Sequence, residues 1–379
     1  MGTRTSSRTD DSRSRDARIL IVGAGVAGLA AARSLANAGL EPELVEREPA
    51  WHQVGAGIYL PGNAARALRA LGLERAVAER AVAIPKQRFC DARGRLLLEV
   101  DVAALWSGAG PCLALHRTDL HAVLLQGAKD VPIRMGVSVR ALHERNDKVS
   151  VEFDDDHTAE YDLVVGADGI HSTVRRLVFG DDASARPVGQ LGWRFLAAGS
   201  AEVTTWTVML GKRTAFLALP IGSDSTYCYC DVVTTTEQAD EDPLQLFADF
   251  AQPAPDLLNS VTNTKLVHRA TIEEVALDTW SRGRLVLIGD AAHATSPNMA
   301  QGAAMALEDA LVLAECLRRP DAIPAALTTF EAQRRPQTEW VRAQTHRRDR
   351  TRYLPTLLRN TLLRAFGQRI FRSNYQPLL

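Results

Sequence analysis

Four apolar residues, Ile19 to Val22, run directly into Gly23-x-Gly25-x-x-Gly28, and an Ala/Leu-rich segment of helical spacing follows up to Gly39. A short continuous apolar run of this kind suits a parallel strand buried on both faces. A second strand, Glu43 to Val45, ends at Glu46, 18 residues beyond Gly28. Each glycine has a mechanical reason. The first makes the tight turn, the second lets a pyrophosphate approach the backbone, and the third lets helix and strand pack closely. The helix N-terminus offers free N–H groups and a positive dipole end to phosphates. A carboxylate at the end of the second strand can accept from a ribose hydroxyl. Strand, turn, helix, strand and acid at this spacing predict an adenine dinucleotide site, without separating FAD from NAD.

Two further units share the form. Tyr161 to Val165 runs into Gly166-Ala-Asp168-Gly169 and a helix capped by Ser172, and Arg284 to Ile288 runs into Gly289-Asp290, a loop carrying Pro297, and a long Ala-rich helix after Gln301. Ligands of open α/β sheets bind at the carboxyl ends of the strands, where all three turns would lie. Between these units the pattern changes. Gly192–Ala197, Val203–Leu210, Thr214–Pro220 and Thr226–Val233 are successive strand-like runs separated by Gly/Ser/Asp/Lys turns, which predicts an antiparallel meander. Gln87–Cys90 and Arg95–Val100 read as a hairpin, and His116–Gln126 as a helix capped by Thr118. Trp51–Pro61 is a glycine-rich loop passing near the bound group. Helical patterns cover 243–251, 254–261, 323–348 and 356–371.

The fold class is therefore α/β: a Rossmann-like three-layer dinucleotide domain with an inserted antiparallel sheet and C-terminal helices. Its expected parts are a disordered tail (1–17), a discontinuous dinucleotide domain (18–86, 101–185 and 265–321), a substrate sheet (87–100 and 186–264) and a helical segment (322–379). At 379 residues the chain can bury two cores. A net charge of −1 leaves no electrostatic footprint for nucleic acid. The five cysteines, Cys90, Cys112, Cys228, Cys230 and Cys316, form no C-x-x-C and suit a reducing cytoplasm. Metal ligation is not suggested. No apolar run approaches the ~18 residues that cross a bilayer, and the polar first 17 residues hold no signal-peptide core.

This set of three units, with Ser296-Pro297-x4-Gly302 followed by Glu308-Asp309-Ala310, resembles the single-component FAD-dependent aromatic hydroxylases, the group of p-hydroxybenzoate and salicylate hydroxylases. The resemblance spans residue 18 to about 345. It implies FAD as cofactor, held by Gly23, Gly25, Ala27, Gly28, Glu46, Arg47, Arg117, Val139, Asp168, Gly289, Asp290, Gly302 and Ala303. Glu46 would bind the adenosine ribose and Arg47 would contact the adenosine side. Arg117 would reach the pyrophosphate or ribityl region, and Asp168 would lie near the pyrophosphate and the nicotinamide. Asp290 would accept from a ribityl hydroxyl. Gly302 and Ala303, at a helix start, would offer N–H groups to the flavin N1/O2 edge, where reduced flavin carries negative charge. The implied chemistry is hydride transfer from NADH or NADPH to FAD, then oxygen addition giving a flavin hydroperoxide that hydroxylates an electron-rich ring. No second fingerprint is present, so nicotinamide would bind transiently.

The resemblance also shows a departure. Hydroxylases of simple phenolic acids present a His and a Tyr where this chain has Ala215 and Leu219. The expectation is a more apolar aromatic or heteroaromatic substrate, such as an indole, a quinolone or a polyketide phenol. Candidate substrate residues are Tyr59, Arg194, Phe216, Leu219 and Tyr229, with Arg194 and Pro297 assigned to catalysis. Tyr227 reads as sheet packing, His293 as structural near the cofactor and His116 as a helix-entry residue. The alternatives are a flavin-dependent epoxidase, oxidative cyclase or reductase on the same fold, and a non-catalytic FAD-binding scaffold or redox sensor. The expected partners are an aromatic small molecule, O2 and NAD(P)H, with the chain a monomer or homodimer.

Overall fold

The computed structural model describes residues 17–51, 56–198, 203–234, 242–261, 267–319 and 321–379. The tail 1–16, the centre of the loop at 52–55 and the Gly199-Ser200 turn lie outside these residues.

Arg18–Val22 is the centre of a six-stranded sheet ordered Ser281–Arg282, Leu285–Leu287, Leu163–Gly166, Arg18–Val22, Glu41–Glu46 and Ile133–Met135. All neighbours are parallel except the first pair. Ile19, Leu20 and Ile21 are all buried, so both faces of the strand are covered. The fingerprint helix Val26–Asn37, the helix Arg117–Gly127 and the Ala-rich helix Gly302–Leu317 pack together, and the three-stranded sheet Val139–Tyr161 joins the same core.

A seven-stranded sheet stands beside this core. Its order is His268–Glu274, Arg186–Ala198, Ser225–Val233, Thr214–Pro220, Trp206–Leu210, Lys86–Asp91 and Leu96–Asp101. The hairpin of residues 86–101 is as expected, but the meander is corrected in two ways. Arg186–Ala198 pairs with the last of the four strands rather than the second, and Trp206–Leu210 runs parallel to Lys86–Asp91. His268–Glu274, grouped with the dinucleotide part in the sequence reading, is the sheet's edge. The helix at 117 is also corrected. His116 is its N-cap, and Thr118 lies inside the first turn.

The two faces of this sheet have different tasks. Trp193, Phe195, Met209, Phe216, Cys228 and Cys230 point outward and are covered by Phe247, Phe250, Leu257 and Leu258. Phe216 and Phe247 meet edge to face with centroids 5.9 Å apart. Phe216 is thus a core residue, and its placement among substrate contacts is corrected. Strand alternation sends Leu217 and Leu219 the other way.

Two helices close the chain, Ile323–Thr351 and Thr356–Tyr375. The latter seats Gly367 against Leu98, where an added Cβ would stand 2.9 Å from a Leu98 methyl.

Phe216→Ala should lower unfolding stability by about 3–5 kcal/mol through the cavity it leaves, while the protein still takes up FAD. Urea unfolding with a parallel FAD titration checks this; loss of substrate affinity at unchanged stability would restore Phe216 to the pocket.

Candidate active site

Strand register places the three turns side by side. Val22 is level with Gly166, and Gly166 is level with Leu287. Beyond them stand Gly23, Asp168 and Gly289. Gly23 has φ +102° and fits against the next turn, since a Cβ there would lie 2.7 Å from the Ala167 carbonyl oxygen. A Cβ at residue 28 would lie 1.8 Å from the Gly23 carbonyl oxygen, so only glycine permits this helix–turn approach. At Gly25 the added atom would meet nothing within 4 Å. The helix it opens has no side-chain cap. This open cradle, with bare N–H groups, fits a pyrophosphate.

Glu46 is already engaged at this edge. Its Oε2 accepts from the Ala24 N–H at 2.8 Å and its Oε1 from the Glu48 N–H at 3.0 Å, which braces the fingerprint turn. His121 Nε2 lies 3.0 Å from the Ala24 carbonyl oxygen on the other side. Arg47 and Arg117 are exposed at the rim. Asp168 caps its own helix, accepting from the Ser172 hydroxyl and from the N–H groups of Thr173 at 2.7 Å and Val174 at 3.1 Å. Ser172 is the N-cap, as expected. Val139 is buried in the main core, so its side chain packs rather than lining the cradle. Ala27 lies under the third turn, where a Cβ on Gly289 would come within 2.8 Å of it.

The third turn rests on a buried carboxylate that the sequence reading did not assign. Asp309 accepts from the Gly289 N–H at 2.9 Å, from His293 Nε2 at 2.7 Å and from Arg334 Nε at 2.8 Å. Burial alone would raise its pKa, but the His293 and Arg334 charges outweigh burial and hold the carboxyl well below its usual range. Asp290 is free to face outward, and its Oδ1 is 3.8 Å from where a Gly302 Cβ would be. The two predicted features, the Gly289-Asp290 turn and the helix start at Gly302-Ala303, are therefore adjacent.

Pro297 begins a short 3-10 turn whose position is set from the sheet and the C-terminal helices. Asn298 bonds Asp349 and Arg352, and Arg352 makes a two-pronged pair with the buried Asp231. The Tyr375 hydroxyl donates to the Met299 carbonyl oxygen at 3.2 Å. The hydroxyls of Thr295 and Ser296, just before Pro297, are buried without a hydrogen-bond partner among the described residues.

The inner face of the seven-stranded sheet is turned toward this loop. One row across it reads Leu196, Tyr227, Leu219 and Trp206, and the next reads Arg194, Tyr229, Leu217 and Val208. Met299 and Met305 pack against the first row. Tyr59 lies over Trp206 with centroids 4.2 Å apart, and Gly57 admits Tyr227, since a Cβ would clash with it at 2.3 Å. Arg194 faces inward, its guanidinium 5.4 Å from the Tyr229 ring centre and beside Tyr227. Burial raises the Tyr227 hydroxyl pKa, and Arg194 and Arg117 pull it part of the way back. Burial, then the Asp231 charge, raises that of Tyr229 well above its usual value. The Trp206 indole N–H is buried with no hydrogen-bond partner among the described residues. Trp206, Asp231 and Arg352 were not named in the sequence reading. Period-two alternation along its own strand sets Trp206 on one face with Val208 and Leu210; nothing local announces the other two.

A family model described as an FAD binding domain matches residues 16–345. The chain belongs to this family. Its relatives include the 2-heptyl-3-hydroxy-4(1H)-quinolone synthase of Pseudomonas aeruginosa strain UCBPP-PA14, 38% identical over 86% of this chain and 87% of that protein. The aurachin C monooxygenase/isomerase of Stigmatella aurantiaca is 33% identical over 83% of this chain and 84% of its own. Among solved structures, Klebsiella pneumoniae HpxO complexed with FAD and uric acid superposes with a TM-score of 0.85 at 26% identity, over 94% of this chain and 96% of that one. FAD is thus the cofactor of this chain, and the expected family and fold class hold.

Asp309→Asn removes the charge that Arg334 and His293 face. It should lower stability by ~3–5 kcal/mol at pH 7 and weaken FAD binding about tenfold, a loss of ~1.4 kcal/mol. The folded carboxyl is depressed, so its contribution is complete at neutral pH and is lost as pH falls below its unfolded value of ~3.9. The stability gap between variant and wild type should therefore narrow from pH 5 to pH 3. Denaturant unfolding across that range and a fluorescence titration of FAD check both; a gap independent of pH would reject the charge argument.

Proposed function

We propose that this chain is an FAD-dependent, NAD(P)H-consuming monooxygenase that inserts one oxygen atom from O2 into a relatively apolar heteroaromatic molecule of the quinolone type. The observation that carries the substrate class is the inner face of the sheet: leucines, a valine, methionines and aromatic rings, broken by very few polar groups. Ala215 and Leu219 stand where a phenol-deprotonating pair would be needed for a simple hydroxybenzoate. Two relatives whose names specify a quinolone or aurachin product support the same reading.

Bound FAD supplies the redox chemistry, accepting a hydride and activating O2. The chain's residues provide the rest. Gly25 and the bare helix start would hold the pyrophosphate, and Glu46 would stand at the ribose side. Asp290 would accept from a ribityl hydroxyl, and the N–H groups at Gly302 and Ala303 would stabilise negative charge on the flavin ring. Met299, buried two residues after the exposed Pro297, packs against the inner face of the sheet. Arg194, beside Tyr227, binds an oxygen of the substrate and stabilises negative charge on it. The Trp206 indole can only donate, so it selects a ligand with a carbonyl or ring acceptor. The five cysteines are free and buried, which suits a reducing cytoplasm. No helix among the described residues is long and apolar enough to cross a membrane.

NADH or NADPH oxidation by the FAD-loaded protein should be stimulated most by 4-quinolones in a panel that also contains indoles and hydroxybenzoates. Arg194→Ala should raise substrate KM about tenfold or more, the scale of one lost charge-assisted hydrogen bond, while FAD stays bound. Steady-state kinetics on both proteins check this. Unchanged kinetics would remove Arg194 from the pocket, and no stimulation by any compound would favour a scaffold or sensor.

A further inference from the structure

The last helix, Thr356–Tyr375, carries an apolar stripe that none of the described residues covers. Leu358, Leu362, Phe366 and Ile370 follow one another every four residues and so share one side. Their exposures are 48%, 36%, 54% and 44%. The helix is not loosely attached. Asn360, Gly367, Phe371, Asn374 and Tyr375 are buried on its opposite side. Phe371 and Tyr375 join the core around Phe89 and Trp106. The exposed stripe is therefore held outward by a packed helix, and a contiguous exposed apolar stripe rimmed by charged residues marks an interaction surface.

Charge identifies the occupant. The helix contains Arg359, Arg364, Arg369 and Arg372 and no acidic residue. Arg359 is spent internally, donating to the Leu210 and Gly211 carbonyl oxygens. Arg364, Arg369 and Arg372 are exposed and form no side-chain ion pair among the described residues. Glu99, on the strand beneath, is occupied by Lys86 and Arg88. Against a second copy through a twofold axis, these arginines would meet their equals without neutralisation. An anionic surface matches both the charge and the stripe.

We propose that this helix lies in the plane of an anionic lipid bilayer, its leucine–phenylalanine stripe in the headgroup–acyl boundary and its arginines on lipid phosphates. This is the behaviour of a basic amphipathic helix at an interface. The attachment is peripheral and independent of the substrate assignment.

The test uses FAD-loaded full-length protein and sedimentation with two kinds of vesicle, phosphatidylglycerol/phosphatidylcholine and pure phosphatidylcholine. The expected result is at least about fivefold more protein bound to the anionic vesicles, with the difference lost at high salt. The double variant Leu362→Ser, Phe366→Ser should retain its flavin spectrum and lose binding about tenfold. Replacing Arg364, Arg369 and Arg372 with Gln should abolish the preference for anionic lipid. Sedimentation velocity without lipid gives the competing outcome. A dimer that the double variant converts to monomer, with no vesicle binding by wild type, would assign the stripe to a second copy and overturn the proposal. Equal binding of wild type and the double variant would overturn it as well.

Discussion

The contact between Gly28 and the Gly23 carbonyl, where a Cβ would stand only 1.8 Å from the oxygen, is the approach on which the rest of the molecule depends. It brings the fingerprint helix down onto the strand ends. Ala27 can then support Gly289, and the Ala-rich helix can lie along its neighbour with Ala306 also against that glycine. A larger residue at 28 would lift the helix and separate the first turn from the third. The cofactor cradle is thus a consequence of small residues at one crossing. The acids and N–H groups proposed to hold the cofactor are placed by that crossing.

The second constraint is the long helix Ile323–Thr351. Arg334 reaches the buried Asp309 behind the Gly289 turn, and Arg352, at the helix C-cap, reaches the buried Asp231 in the seven-stranded sheet. These arginines are 18 residues apart, about five turns or ~27 Å on one side of a helix. Each pairs with a carboxylate that is itself fully buried. A single rigid element therefore fixes the cofactor turn and the substrate sheet relative to each other. Pro297 lies between them, tied to the same helix through Asn298 and Asp349. Replacing Arg352 would leave the buried Asp231 without its cation, and replacing Arg334 would leave Asp309 with His293 as its one cationic partner; breaking a buried pair in this way is more costly than never having built it.

Local signals made the cofactor half legible. Strand, glycine turn and helix lie within a few residues of each other, so Gly23, Gly25, Gly28, Ser172, Gly289 and Gly302 could be placed from spacing alone. Pairing across the chain was less legible. Asp309 and Arg334 are 25 residues apart and on different helices, so no period connects them. In the sheet, Phe216 and Leu219 have opposite parity and cannot line the same pocket wall; a one-residue change of register moves every side chain to the other face. The meander failed for a related reason, since turn positions show where strands end but not which strand each will pair with. Thr118 was a sound capping residue displaced by His116, because pairing between Gly57–Leu60 and Leu113–His116 carries the strand right up to the helix start.

The account joins a flavin cradle to an apolar sheet face and assigns the pair to oxygen insertion. The most direct measurement is the origin of the new oxygen atom. The FAD-loaded enzyme is turned over with NAD(P)H and a 4-quinolone under oxygen-18 gas in ordinary water, and the product is weighed by mass spectrometry. The account predicts one labelled oxygen atom per product, and none when the label is in the water instead. Label arriving from water, two labelled atoms, or a product lighter by two hydrogens with no oxygen gained would contradict it.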